Sequence, residues 1–536
     1  MTPFADLTIS NAHVFTSDDN HPSAEAVAVK GNRIVFVGSN RDAADWRGPS
    51  TRVVDGSGKT LMPGFIDCHY HLLMGSLGMN DLHLDEVGSY EEFEILLRDY
   101  SRAYPDKPWL VCGGLRYNLG PGHTALNRHA IDTIVADRPV YIVSYDCHTA
   151  WTNTLALQQA GIFFGADCGS SSEIVLDGSG QATGELREAA AMETIETLLP
   201  VPDAAEKHRL LMQGLKLASR LGITSVHNMD GGAEQAALYT ECERSGELTV
   251  RIYLPFSFQL HTPMESLEQE AIRMMRTYSA GLVRSGGIKL FMDGVIESYT
   301  GLLVDEYADK PGTVGIPNFE LKHFNRIVVE ADRLGLQIAV HSVGDGGVRA
   351  VLNAYEMARR LNGPRDRRHR IEHIELIHPH DVDRFAALDV TASMQPMHAP
   401  PRRDEAEVWQ TRVGEDRWAR SFAWSTMRSA GARLVFGSDW PVATPNPLAG
   451  VHNTLNRLPW KDGLPHHRQN LADTLKSYTS DAAYAEFQEK QKGRVQPGYL
   501  ADLVLLSADL FHIPPKEIET VHPLLTIMDG KIVFED

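Results

Sequence analysis

The chain has 536 residues, 43% of them hydrophobic, with a mean hydropathy of -0.24, enough for a large core in one big domain with additions or in two domains. A formal charge of -19 with no basic block to offset it excludes nucleic acid and anionic membrane surfaces as partners and leaves a small-molecule substrate as the expectation. Five scattered cysteines without C-x-x-C spacing, no long apolar run and no signal-peptide pattern in residues 1–6 exclude a disulfide framework and a zinc knuckle and lead us to expect a cytoplasmic protein.

Residues 1–60 carry short alternating runs between turn residues: Asp6-Leu7-Thr8-Ile9, Ala26-Val27-Ala28-Val29 and, after Gly31-Asn32, Arg33-Ile34-Val35-Phe36-Val37-Gly38. These predict small antiparallel strands. Next comes Leu61-Met62-Pro63-Gly64-Phe65-Ile66-Asp67-Cys68-His69-Tyr70-His71, an apolar run ending in two histidines one residue apart. On a strand, positions i and i+2 share a face, so His69 and His71 can offer two imidazoles to one metal ion. An insertion of about 75–205 follows, with its own strand-like Pro139-Val140-Tyr141-Ile142-Val143-Ser144-Tyr145-Asp146. A segment this long inside a compact domain predicts a lid or subdomain.

Strand runs then alternate with helical segments: 222–227, 250–254, 288–292, 337–341, 369–374, 390–394 and 433–439. With the His69 run they make eight, which predicts an α/β fold, a (β/α)8 barrel with functional groups at the C-terminal strand ends. The far end, Ala501–Leu506 and the hairpin-like 525–534, repeats the texture of the start. We therefore expect a small β-sandwich from residues 1–60 and 488–536 and a barrel domain over 61–487.

The strand ends supply His69, His71, Lys289, His341, His373 and Asp439. Singly, each has a plainer reading: His341 or His373 as a satisfied core histidine, Lys289 as a surface lysine, Asp439 as a helix N-cap before Pro441. Jointly they converge on one barrel mouth.

The order His-x-His, Lys, His, His, Asp on successive strands resembles the amidohydrolase superfamily. Pro63-Gly64-Phe65-Ile66-Asp67, Asp146-Cys147-His148-Thr149-Ala150-Trp151-Thr152-Asn153, Lys289-Leu290-Phe291-Met292-Asp293-Gly294, His341-Ser342-Val343-Gly344-Asp345 and Gly437-Ser438-Asp439-Trp440-Pro441 resemble its amidohydrolase 3 branch, which includes N-substituted formamide deformylases. The resemblance spans nearly the whole chain, Gly498-Tyr499-Leu500-Ala501-Asp502-Leu503 included.

That resemblance implies metal ligation by His69, His71, His341, His373 and Asp439. It also implies that Lys289 is carboxylated by CO2 and bridges two metals; the residue's own chemistry, an ammonium with donors only, requires it to be either modified or out of contact with the cation. Imidazoles and carboxylates suit Zn2+ best among divalent metals, with one ion, or two if Lys289 is modified. The implied chemistry is attack of metal-activated water on an amide or N-formyl C–N bond outside peptides, with Asp439 accepting the water's proton and returning it to the leaving nitrogen. His148 and His227 resemble positions that face the site, Asp293, Asp345 and Gln395 are candidate substrate or supporting contacts, and Glu188 either shapes the pocket or lies on a helix. After Asp293-Gly294 the chain runs Val295-Ile296-Glu297-Ser298-Tyr299-Thr300, where the branch runs small residues into Arg-Thr. Hydrolysis of another bond, such as an ester or cyclic amide, and a non-enzymatic metal-binding regulatory protein are the alternatives. The oligomeric state stays open, a homodimer included.

Overall fold

A computed structural model describes residues 4–169, 172–399 and 408–536. Met1-Thr2-Pro3, half of the segment inspected for a signal peptide, lies outside them. Among the described residues no helix is long and apolar enough to cross a membrane.

The eight apolar runs form parallel strands: β1 Phe65–Tyr70, β2 Ile223–Asn228, β3 in two pieces, Arg251–Tyr253 and Phe256–Ser257, β4 likewise, Val283–Arg284 and Gly287–Phe291, β5 Gln337–Ser342, β6 Arg370–His373, β7 Thr391–Met394 and β8 Arg433–Phe436. Both faces of β1, β2, β5 and β6 are buried, as expected of parallel strands covered by helices. Pairing follows chain order from β1 to β8. The break in β3 falls at Leu254-Pro255, where proline has no N–H for the ladder.

The expected closed barrel needs one correction: no regular ladder joins β8 to β1. Beyond Phe436 the chain instead donates from Asp439 N–H to the His69 carbonyl at 2.7 Å and receives the His71 N–H on the Trp440 carbonyl at 2.9 Å. The Ser438 N–H goes to the Asp67 carboxylate at 2.9 Å. Gly437 makes this seam possible, since a Cβ there would lie 2.4 Å from the His69 backbone nitrogen.

Helices close the connections. Ala204–Arg220 leads into β2; Asp203 caps it by accepting the Glu206 N–H at 2.8 Å, and Leu210, Leu211, Leu215 and Ala218 form its buried face. Leu321–Arg333 and Asp345–Asn362 flank β5.

Two further sheets come from the chain ends. One has four strands, in the order 33–38, 26–30, 7–10, 52–55. The other has six, in the order 531–535, 523–528, 503–506, 60–63, 13–15, 23–24. Ile9, Val14, Val27, Leu61, Leu503 and Ile527 share one apolar cluster between them. Thr60–Pro63 continues through Gly64 straight into β1. Between β1 and the 204–220 helix stands a third six-stranded sheet, in the order 173–176, 182–187, 149–152, 140–144, 110–115, 82–83, with cores of its own.

Candidate metal centre

His69 and His71 alternate along the end of β1 as the strand period requires. His69 Nδ1 lies 2.8 Å from Glu372 Oε2, and His71 Nδ1 lies 2.8 Å from Asp230 Oδ1. A carboxylate only accepts, so each Nδ1 carries a proton. Those two Nε2 atoms stand 3.4 and 3.1 Å from Asp439 Oδ1. Glu372 is locked in turn by Arg370, whose Nε and Nη2 donate to its two oxygens at 2.6 and 2.9 Å.

Asp439 sits just past β8 with a positive φ of 62°, a conformation that costs a non-glycine residue energy and persists where its surroundings impose it. Burial would raise its carboxyl, but His69, His71 and His373 outweigh that and hold it well below the usual carboxylate range. Burial pushes His69 down to about 4 and holds His341 and His373 well below the ordinary imidazole value, so these imidazoles are neutral. The ligand atoms of buried His69, His71 and Asp439 lie within 4.8 Å of one another. His71 differs: burial opposes its charge, but Asp230 and Asp439 outweigh burial and raise it to about 9, so a cation bound there would displace its Nε2 proton; imidazoles with their second nitrogens tied to carboxylates, facing a carboxylate, fit a divalent transition metal.

The remaining strand-end residues gather around this trio. Lys289 Nζ is 3.5 Å from His69 Nε2 and 4.3 Å above the Phe291 ring, and burial lowers it to about 8. His341 Nε2 faces the Gly294 carbonyl at 3.2 Å, leaving Nδ1 as its lone-pair nitrogen. Its ring centroid is 4.4 Å from that of His373. His373, with φ 76°, puts Nδ1 3.8 Å from Asp439 Oδ2, and its buried Nε2 has no hydrogen-bond partner.

The residues expected to meet substrate fall into different places. His148 reaches the site from the insertion, its ring 5.2 Å from His341, with Nδ1 2.8 Å from Glu188 Oε2. Burial opposes its charge, but Glu188 outweighs burial and raises it to about 9. Glu188, at φ 64°, also accepts from Ser298 at 3.3 Å and from Thr300, joining the insertion to the distinctive 295–300 loop. Gln395 is 2% exposed at the end of β7, and neither amide atom has a partner. Asp293 is committed to the backbone: its oxygens accept from Val343, Gly344 and Leu302 at 3.0, 3.0 and 2.8 Å. Asp345 holds Arg420 at 2.6 Å and the Val304 N–H at 2.9 Å. His227 is fully buried, 2.7 Å from Arg370 and 3.3 Å from Glu486, and is linked to His69 through Arg370 and Glu372.

Several site residues escaped sequence reasoning: Glu372, Asp230, Glu375 and above all His398. His398 Nε2 is 3.7 Å from Asp439 Oδ2, and Nδ1 is 3.2 Å from Glu375 Oε1. The signal was present. Arg370 and Glu372 are charges in a fully buried strand, which demands partners, and His398 follows the end of β7, where the barrel rule places function.

Residues 52–534 match the model of the amidohydrolase family. The chain is 30% identical over 544 residues to LONG AFTER FAR-RED 3 of Arabidopsis thaliana, covering 99% of this chain and 92% of that protein. It is 27% identical over 557 residues to the N-substituted formamide deformylase of Arthrobacter pascens, covering 100% and 99%. The crystal structure of an uncharacterized metal-dependent hydrolase from Pyrococcus horikoshii matches with a TM-score of 0.74 at 22% identity, over 95% of this chain and 99% of that one.

Proposed function

This chain belongs to the amidohydrolase family, and on that premise we propose that it hydrolyses the C–N bond of an amide or N-formyl group in a small molecule. The observation that carries this reading is the trio His69, His71 and Asp439, with both Nδ1 protons spoken for and both Nε2 atoms facing one carboxylate oxygen. His341 and His373 complete the set that would hold divalent metal, Zn2+ by donor chemistry. A bound cation would acidify a water molecule and polarise the scissile carbonyl.

The chain's own residues do the rest. Asp439 takes the water's proton on its carboxylate and delivers it to the leaving nitrogen, which an amide needs because an amide anion leaves poorly. Gln395, with a free donor and a free acceptor, is suited to grip an N-acyl group. His148 faces the mouth as a cation held by Glu188. Lys289 enters as its N-carboxylate, formed from the neutral amine and CO2 with release of one proton. Support for this comes from its place 3.5 Å from a ligand nitrogen, where an ammonium offers donors only. The name of the Arthrobacter pascens relative favours the N-formyl end of the substrate class. In this reading the ring is a (β/α)8 barrel, residues 1–60 and 488–536 are its β-sandwich companion, and the 75–205 segment roofs the mouth.

The test is metal analysis of the purified protein together with steady-state rates on a panel of formamides, amides and esters. Bound zinc and turnover of a C–N substrate are expected. A metal-loaded protein that cleaves esters alone, or a folded protein that takes up no divalent metal, overturns the proposal.

A further inference from the structure

The two ends of the chain meet at a group of donors that the hydrolase reading does not use. His13 opens a strand of the six-stranded terminal sheet and stands in register with Thr60. Asp509 and His512 follow the strand Leu503–Leu506 of the same sheet. One oxygen of Asp509 is fixed from behind: Oδ1 accepts the Phe511 N–H at 3.0 Å and the Thr60 hydroxyl at 3.2 Å. Oδ2 faces two imidazoles, His13 Nδ1 at 2.9 Å and His512 Nδ1 at 2.6 Å. The His13 ring packs on Phe511, 4.9 Å away, which itself lies 5.5 Å from Phe15. Burial would raise the Asp509 carboxyl, but His13, the Phe511 N–H and His512 outweigh burial and hold it below its ordinary value, so it is an anion at neutral pH. One ligand atom from each of the three residues lies within 4.8 Å of the other two. Two ligands close in sequence, Asp509-x-x-His512, with a third from a distant strand repeat the short spacing usual in transition-metal sites. Zinc bonds of about 2.0–2.2 Å set tetrahedral ligand atoms roughly 3.3–3.6 Å apart, so these side chains need part by no more than about 1 Å to admit the ion.

We propose that His13, Asp509 and His512 form a site for a divalent transition cation, Zn2+ by donor chemistry, with water as the remaining ligand, and that the ion fastens the N-terminal strand to the segment after Leu506. Each imidazole keeps its one proton by moving it from Nδ1 to Nε2, so the cation takes the place beside Oδ2 that the two Nδ1 protons now fill. The site is built on the terminal sheets and stands or falls independently of the hydrolase reading.

The experiment uses the full-length chain without an affinity tag. It counts zinc per chain by mass spectrometry after dialysis at defined free Zn2+, takes affinities from chelator competition and compares Tm with and without the ion. His512→Ala is expected to bind one ion fewer than wild type, and His69→Ala with His512→Ala one fewer than His69→Ala alone, which separates this site from the strand-end histidines. Added Zn2+ is expected to raise Tm further in wild type than in His512→Ala, because an ion that binds only the folded state stabilises it. The His512 side chain is 76% exposed, so its removal leaves the core intact; His13→Ala should lose the same ion, and if that variant does not fold, His512→Gln takes its place. Equal zinc counts and affinities in wild type and the His512 variants overturn the proposal, as does an equal rise in Tm. An ion lost with His512 from a protein that turns over no C–N substrate upholds this site while the hydrolase reading fails alone.

Discussion

One carboxylate, that of Asp439, lies among four imidazoles, and replacing it tests chemistry and assembly together. Asp439→Asn keeps the side-chain size but removes the charge and the proton-accepting oxygen. We expect kcat on N-acyl or N-formyl substrates to fall by at least about 10²–10⁴-fold, the usual contribution of general acid–base catalysis, with an unchanged circular dichroism spectrum. Near-wild-type kcat at normal metal content would remove Asp439 as the proton shuttle. The six strand-end residues could be listed from sequence because spacing along a strand fixes which side chains share a face. Which nitrogen of each imidazole turns toward Asp439 could not, since that depends on Glu372, Asp230 and Glu375, all distant in sequence from the histidines they orient or contributed by other elements.

Strands make this site by where they stop. The run read as 433–439 leaves the ladder after Phe436, and the next residues give their N–H groups to the Met394 carbonyl, Asp67 and the His69 carbonyl. Hydrophobic patterning cannot see that exit, because Gly437 is needed for backbone contact with β1 and not for packing. Gly437→Ala places a methyl 2.4 Å from the His69 nitrogen. We expect it to cost at least about 1–3 kcal/mol, the range for overpacking a tight site, and to lower metal content along with Tm, since the same contact positions His69 against Asp439. Wild-type metal content in Gly437→Ala would show that the seam is not what sets the site. The insertion makes a different contribution. His148→Ala should change relative rates among substrates of different acyl group while bound metal stays constant; equal losses on all substrates together with metal loss would mark His148 as part of the metal site. The amidohydrolase resemblance read from the motifs is borne out by the family match over 52–534. The loop after β7 was read only as far as Gln395, since His398 follows a proline turn and not a strand.

The whole molecule is also held by a buried charge cluster apart from the His69–His71–Asp439 trio. Glu486 pairs with Lys492 at 2.5 Å and with His227 at 3.3 Å. Burial would raise its carboxyl, but Lys492 and His227 outweigh burial and hold it at about 2, against an ordinary 4.5. A depressed folded-state value means that Glu486 stabilises the fold above pH 4.5 and that this contribution fades as pH falls from 4.5 toward 2. The shift corresponds to roughly 3 kcal/mol. Denaturant midpoints should therefore show Glu486→Gln far less stable than wild type at pH 7 and nearly equal to it near pH 2. A gap independent of pH would mean that packing, not ionisation, is at stake.

Thr60–Pro63 pairs with Leu503–Leu506 before running through Gly64 into the strand that carries His69 and His71. The order of synthesis is thereby at odds with the order of assembly. Asp509, which accepts from Thr60, lies 449 positions further on. At about 5–20 residues per second the ribosome delivers it roughly 20–90 s later. For that interval the strand bearing the first two imidazoles hangs from an unfinished sheet, with its edge open to any other strand in the cell. Ribosome-stalled chains ending before Leu503 should be cut by protease throughout 60–71, whereas full chains carried clear of the ribosome on a linker should resist. A protein built this way depends on residues 503–528 to shelter the strand that carries His69, and holdase chaperones are the expected guardians of the wait.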